Sequence, residues 1–173
     1  MATNKPERQI ILRMCMVAVY SALSFVLTAY ASIPYAGGNG YFNFGDIVNL
    51  LAAITLGPVE GACVGIIGGV LSDLSSGFAM YAPWTILAKG LLGAASGLLY
   101  IVLKNKKIIR FSSLFVGATL EVLSYMCAYY VLAGVGGLIS SAFDCVQAFG
   151  SAIIVIPLYL LIEKTGVLNR LNQ

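Results

Sequence analysis

Apolar runs of about twenty residues recur from Met14 to Ile162, separated only by short breaks, and they constrain this chain more than any other feature. A helix rises about 1.5 Å per residue, so one such run matches the roughly 30 Å hydrocarbon core of a bilayer. With 173 residues, 60% hydrophobic and 10% charged, nothing is left over for a soluble domain. The expected fold is all-α: a single integral membrane bundle spanning residues 1–173.

The breaks set the helix count. Residues 14–33 form the first apolar span, stopped at Pro34 and followed by a loop with three glycines. Ala29-Tyr30-Ala31 mimics a signal-peptidase site, but the apolar run before it is longer than the usual signal core, so an uncleaved helix is expected. Further spans are expected at 44–56, 58–74, 83–103, 111–133 and 138–162. Gly57-Pro58 separates the second and third, a glycine closing one helix and a proline opening the next. Charge supports six spans over five. With six, the amino terminus, the Lys104–Arg110 loop and the tail carrying Lys164 and Arg170 share one side. Nine of the ten basic residues then fall there, the pattern of cytoplasmic loops. A multi-pass protein of the cell membrane with both termini in the cytoplasm is the expectation.

Several chemistries are excluded. The chain has no histidine, which removes the usual zinc and haem ligand and the usual general base. Its four cysteines stand singly inside apolar segments, so they are expected to pack as small hydrophobes. No metal site is expected. There is no GxxxxGK[ST] nucleotide loop and no GxGD protease pair, since Asn43-Phe44-Gly45-Asp46 lacks the first glycine. Neither an enzyme nor a nucleic-acid binder is expected. Glycines at 61, 65 and 69, and at 93 and 97, have the spacing that lets helices approach closely in lipid. Glu60 suits the first turn of the third helix, where the helix dipole favours a carboxylate.

Five ionisable residues lie inside the spans: Asp46, Asp73, Lys89, Glu121 and Asp144. Each costs roughly 2.5–3.5 kcal/mol at a helix centre on insertion scales, so accident is a poor explanation. Converted to depth, Lys89 and Asp144 lie roughly 9 Å below the outer surface, and Glu121 near the midplane. All five belong to the outer half. Asp73 and Lys89, at similar depth on consecutive helices, are expected to form a buried ion pair. Asp46 suits either a helix start or a site role. Glu121 and Asp144 are candidate ligand residues, as are Tyr125, one turn after Glu121, and Gln147, three residues after Asp144. Lys89, Asn43, Phe42 and Trp84 complete the candidate binding set, although the outer aromatics also suit an interfacial belt. A channel would carry polar residues through to the other side. Here the inner half is dry, which favours a binding cup.

At these residues the chain resembles the substrate-binding S components of energy-coupling factor (ECF) vitamin transporters. The resemblance rests on Asn43-Phe44-Gly45-Asp46, Leu56-Gly57-Pro58, the run from Gly61 to Asp73, and the helix Pro83…Lys89-Gly90. Within the family it is most similar to the hydroxymethylpyrimidine and pyridoxine branch. The resemblance implies a subunit that binds one micronutrient in an outward-open pocket and topples to deliver it. It implies docking onto a transmembrane coupling subunit with two ATPase subunits, which hydrolyse the ATP; this chain itself would bind no cofactor. It further implies a docking strip of AxxxA form on helix 1, matched by Ala18 and Ala22. No arginine lies within the spans to clamp a carboxylate or phosphate, which favours a pyridoxine- or pyrimidine-like ligand. The alternatives are another vitamin (riboflavin, thiamine, pantothenate or folate) or a small self-assembling channel or membrane-structural protein.

Overall fold

A computed structural model of the chain describes residues 5–31, 33–34 and 41–165, with side chains for all of these except 5, 6, 33, 34, 41 and 42. Six helices follow one another: α1 Lys5–Ala29, α2 Gly45–Thr55, α3 Pro58–Ser75, α4 Ala82–Val102, α5 Ser112–Gly137 and α6 Ile139–Thr165. Two short 3-10 turns, Ala79–Tyr81 and Ile109–Phe111, precede α4 and α5. Between α1 and α2 the two-residue strands β1 Ile33–Pro34 and β2 Tyr41–Phe42 pair antiparallel, Ile33 opposite Phe42.

The helix order matches the expectation from sequence, with one correction of bounds and one refinement of length. The first helix starts at Lys5 rather than at residue 14 and ends at Ala29 rather than at residue 33. The residue before a proline is pushed out of helical conformation, and Ile33 accordingly enters β1 ahead of Pro34. Second, among the described residues five helices are long and apolar enough to cross a bilayer by themselves. α2 has 11 residues, about 16 Å of helix, roughly half the hydrocarbon thickness. It is therefore the short helix of the six, with bounds close to the 44–56 expected for it. Gly57, at φ 130°, makes the turn that lets Pro58 start α3 directly afterwards. At the far end of α5, Gly134 leaves helical conformation at φ 66° and ψ −156°, which places the effective end of that span at the break expected between residues 133 and 138.

Small residues set the packing. α3 lies against α4 and α1, and α4 against α5. A Cβ on Gly61 would stand 2.6 Å from the Ala53 Cα, and one on Gly97 would stand 2.7 Å from the Pro58 Cα. A Cβ on Gly93 would run into the backbone of Gly61 and Ala62. α2, α3 and α4 therefore meet backbone to backbone, the close approach that small residues permit in lipid.

The bundle is divided along its length. The end of α4, the start of α5 and the second half of α6 enclose Leu92, Tyr100, Leu114, Val155 and Tyr159, joined by Leu50 and Ile54 of α2. That half is apolar. The opposite half, built from the end of α1, the start of α2, the end of α3 and the start of α4, is completed by the later turns of α5 and the first turns of α6. There the interior is polar.

Candidate functional site

The polar end holds a cavity of about 480 Å³ of empty space, its open mouth included. That falls in the size range of small-molecule pockets. Its wall is formed by side chains from five of the six helices, the segment preceding α2 and the connection between α3 and α4.

The floor is a chain of hydrogen bonds. Asn43 folds back so that its Oδ1 accepts the Gly45 N–H at 2.9 Å, fixing the entry into α2. Its own N–H donates to Gln147 Oε1 at 2.8 Å, and its Nδ2 reaches the same oxygen at 3.2 Å. Gln147 then donates through Nε2 to Asp46 Oδ2 at 2.6 Å. The other oxygen of Asp46 accepts from the Lys89 ammonium, which also bonds to Glu121 Oε1. Asn43, Gln147, Asp46, Lys89 and Glu121 thus form one connected path across α2, α6, α4 and α5. All five are buried, Asp46 completely. Paired and hydrogen-bonded charges of this kind are what makes burial tolerable, and the chain also fixes where α2 sits.

A second group lines one side. The Thr85 hydroxyl donates to Asp73 Oδ2 at 2.5 Å, which uses its one hydrogen. The 3.1 Å contact between Thr85 Oγ1 and the Tyr125 hydroxyl therefore runs from Tyr125 as donor. Tyr125 stacks on Tyr129, their centroids 6.2 Å apart with 23° between planes. Lys89 Nζ lies 5.6 Å from the Tyr125 centroid. Tyr129 in turn meets Tyr81 edge-on at 5.8 Å, and Tyr81 meets Phe78 at 6.3 Å. A continuous row of rings therefore runs from the mouth to the ammonium. Gly69 makes room for it, since a Cβ there would stand 2.7 Å from the Thr85 methyl.

Most residues expected at the site are brought together. Asn43, Lys89, Tyr125, Asp144 and Gln147 all line the cavity. Glu121 is not among the lining residues; it is buried behind Lys89, which it helps to hold. Trp84 is half-buried and is also not among them. The side chain of Phe42 lies outside the described residues. The expected Asp73–Lys89 ion pair is corrected. Lys89 pairs with Asp46 and Glu121, while Asp73 takes the Thr85 hydroxyl. Depth alone placed Asp73 and Lys89 level; helix rotation decides the partner, and it turns Lys89 towards α2 and α5. Asp46 is more than a helix start, since it receives both Lys89 and Gln147.

Sequence reasoning missed Thr28, Thr85 and Tyr129. The signal for two of them was present: Thr85 precedes Lys89 by one turn, and Tyr129 follows Tyr125 by one turn, so each shares its neighbour's helix face. Thr28 carried no such signal within an apolar helix. Ala18 and Ala22 lie on the exposed face of α1, while Ser21, Ser24 and Thr28 face inward. The arrangement has the size and the polar groups to hold a small polar molecule. Hydrogen-bonding groups, one ammonium and a row of rings converge on it.

Comparison with known proteins agrees. Residues 9–164 match the family model of the ECF-type riboflavin transporter, S component. An uncharacterized protein of Pyrococcus woesei is 34% identical over 143 residues, 82% of this chain and 95% of that one. The thiamine precursor transporter HmpT of Lactococcus lactis is 27% identical over 163 residues, 91% of each chain. The riboflavin transporter RibU of Staphylococcus aureus is 35% identical over 97 residues, 55% of this chain and 50% of that one. The solved structure of the S component of a bacterial ECF transporter matches with a TM-score of 0.65 at 26% identity, covering 88% of this chain and 96% of that one. Subunits of this kind bind and deliver a transported molecule and are not enzymes. A multi-pass membrane bundle with a polar cup at one end, this chain belongs to the S-component family of ECF-type vitamin transporters.

Proposed function

We propose that the protein captures a small nitrogen heterocycle bearing hydroxyl or amine donors, of the pyridoxine or hydroxymethylpyrimidine kind. The observation that carries this reading is the charge of the cup. Lys89 is engaged by two carboxylates, Asp46 and Glu121, and two more, Asp73 and Asp144, line the same cavity. A phosphate or carboxylate ligand would meet no free cation among the described lining residues. A neutral or protonated ring with donors meets acceptors, and the Tyr125–Tyr129 pair offers it a stacking face. The likeness to HmpT, a thiamine precursor transporter, supports the same ligand class.

The cup opens to the outside in this reading, and both termini and the Lys104–Arg110 loop face the cytoplasm. Delivery requires a transmembrane coupling subunit and two ATPase subunits, which hydrolyse ATP in place of a chain that binds no cofactor. The exposed Ala18 and Ala22 strip on α1 is the contact for the coupling subunit, because small side chains permit close helix approach.

A second reading, riboflavin as ligand, is favoured by the family model over residues 9–164 and by the RibU likeness. Calorimetric titration of the purified protein with pyridoxine, aminohydroxymethylpyrimidine, riboflavin and a phosphorylated pyridoxine separates the two. Tight binding of either small heterocycle with loss on phosphorylation is the expected result. Tight binding of riboflavin alone overturns the ligand assignment and leaves the family in place.

A further inference from the structure

At the opposite end of the bundle, a groove runs from the loop between α4 and α5 along the last turns of α6. We infer that it binds an anionic glycerophospholipid, with the phosphate at Lys104 and Lys107 and one acyl chain along Phe115, Ile156 and Leu160. Three cations line the groove, Lys104, Lys107 and Arg110, against one carboxylate, Glu163, leaving two positive charges (three minus one). Arg110 is held in place. Its guanidinium lies 4.9 Å from the Phe111 centroid and 5.5 Å from those of Tyr100 and Tyr159, and Glu163 binds it at 3.2 Å. That leaves Lys104 and Lys107 as the exposed cations at the head of the groove.

The surroundings argue for an amphiphile and not for a free anion. Ile108 is 85% exposed and Ile109 52% exposed, directly beside the lysines. Exposed isoleucines next to lysines are poorly served by water, but a headgroup layer satisfies both at once. Beyond the cations the groove continues as an apolar trough, with Phe115 and Ile156 half-buried and Leu160 exposed. A polar head opening onto an apolar trough is the shape of a lipid and of no small phosphate.

Native mass spectrometry of the full chain, exchanged into phosphatidylglycerol or phosphatidylcholine, tests this. The parent protein is expected to retain phosphatidylglycerol roughly tenfold more than phosphatidylcholine, and Lys104→Gln with Lys107→Gln to abolish most of that preference. Lys164→Gln, outside the groove, should leave it intact. Equal retention of the two lipids by the parent overturns the proposal, whether or not the double variant is recovered. Undiminished preference in the double variant, or an equal loss in Lys164→Gln, also overturns it. So does displacement of phosphatidylglycerol by millimolar inorganic phosphate, which would identify a site for a free anion.

Discussion

The ammonium of Lys89 on α4 closes onto the carboxylate of Asp46 in the first turn of α2, 43 residues earlier in the chain. This contact joins the half-length helix to the full-length ones at the level of the cavity. Because Lys89 also holds Glu121 on α5, one cation fixes three helices together. Buried ion pairs add little over a well-packed apolar substitute, but breaking one leaves an uncompensated charge. The Lys89 cluster therefore specifies geometry, and it is fragile to single changes.

Lys89→Met is accordingly expected to destabilise the fold by about 3–5 kcal/mol, because two buried carboxylates lose their only cation in this cluster. Adding Asp46→Asn and Glu121→Gln to that variant should recover part of the loss, since neutral amides are cheaper to bury than charges. Thermal unfolding in detergent reads both. An unchanged midpoint for Lys89→Met would show that the pairs do not hold the bundle.

Glycine packing gives a contrast within one protein. Gly93→Leu forces a side chain into the backbone of Gly61 and Ala62 and should sharply reduce the yield of folded protein. Gly136→Ala meets nothing within 4 Å and should be tolerated. Size-exclusion profiles of the two variants decide the matter, and equal recovery would remove the close approach of α3 and α4 as a requirement.

The fold was legible because lipid enforces it. Runs of twenty apolar residues, Gly57-Pro58 and the Gly134–Gly137 break each have one physical meaning in a membrane. The half length of α2 was visible in the count from Gly45 to Thr55, but the bias of positive charge to one side is satisfied equally by a short helix and a full span. Depth was also legible, so the ionisable residues were correctly gathered at one end. Rotation about each helix axis was not. Apolar residues cover every side of these helices, so no amphipathic pattern told Lys89 to turn towards Asp46 and Glu121 in preference to Asp73, or placed Glu121 behind the ammonium.

The basic loops carry an expected orientation in the membrane. Single cysteines at Lys106 and Gly136, in a background lacking the four native cysteines, should react from opposite sides. An impermeant thiol reagent added to intact cells is expected to label position 136 and spare position 106. The reverse pattern would turn the protein over and place the cup on the cytoplasmic side.

The alanine strip on α1 predicts a separation of function. Ala18→Trp and Ala22→Trp point a bulky indole away from the bundle, since both positions are exposed. Each should abolish uptake while leaving ligand binding by the isolated subunit unchanged. Normal transport and copurification with the coupling subunit would leave this strip facing lipid only.

The cup itself makes the most discriminating prediction. Asp144 lines the cavity, whereas Glu121 stands behind Lys89, so the two carboxylates should fail differently when removed. A hydrogen bond to a charged group contributes on the order of 1.5–3 kcal/mol, or roughly 10- to 150-fold in affinity. Asp144→Ala is expected to weaken binding of a pyridoxine- or aminopyrimidine-like ligand at least about tenfold with little change in thermal stability. Glu121→Ala should weaken binding by a similar factor and also lower stability, because it frees Lys89 from one of its two anchors. Asp46→Asn belongs with Glu121→Ala and not with mild cap replacements, since Asp46 receives both Lys89 and Gln147. Calorimetry and thermal unfolding on the same three preparations read both quantities. If Asp144→Ala and Glu121→Ala both bind as tightly as the parent, the ligand is held by other residues, and the cup described here is only a polar gap between helices.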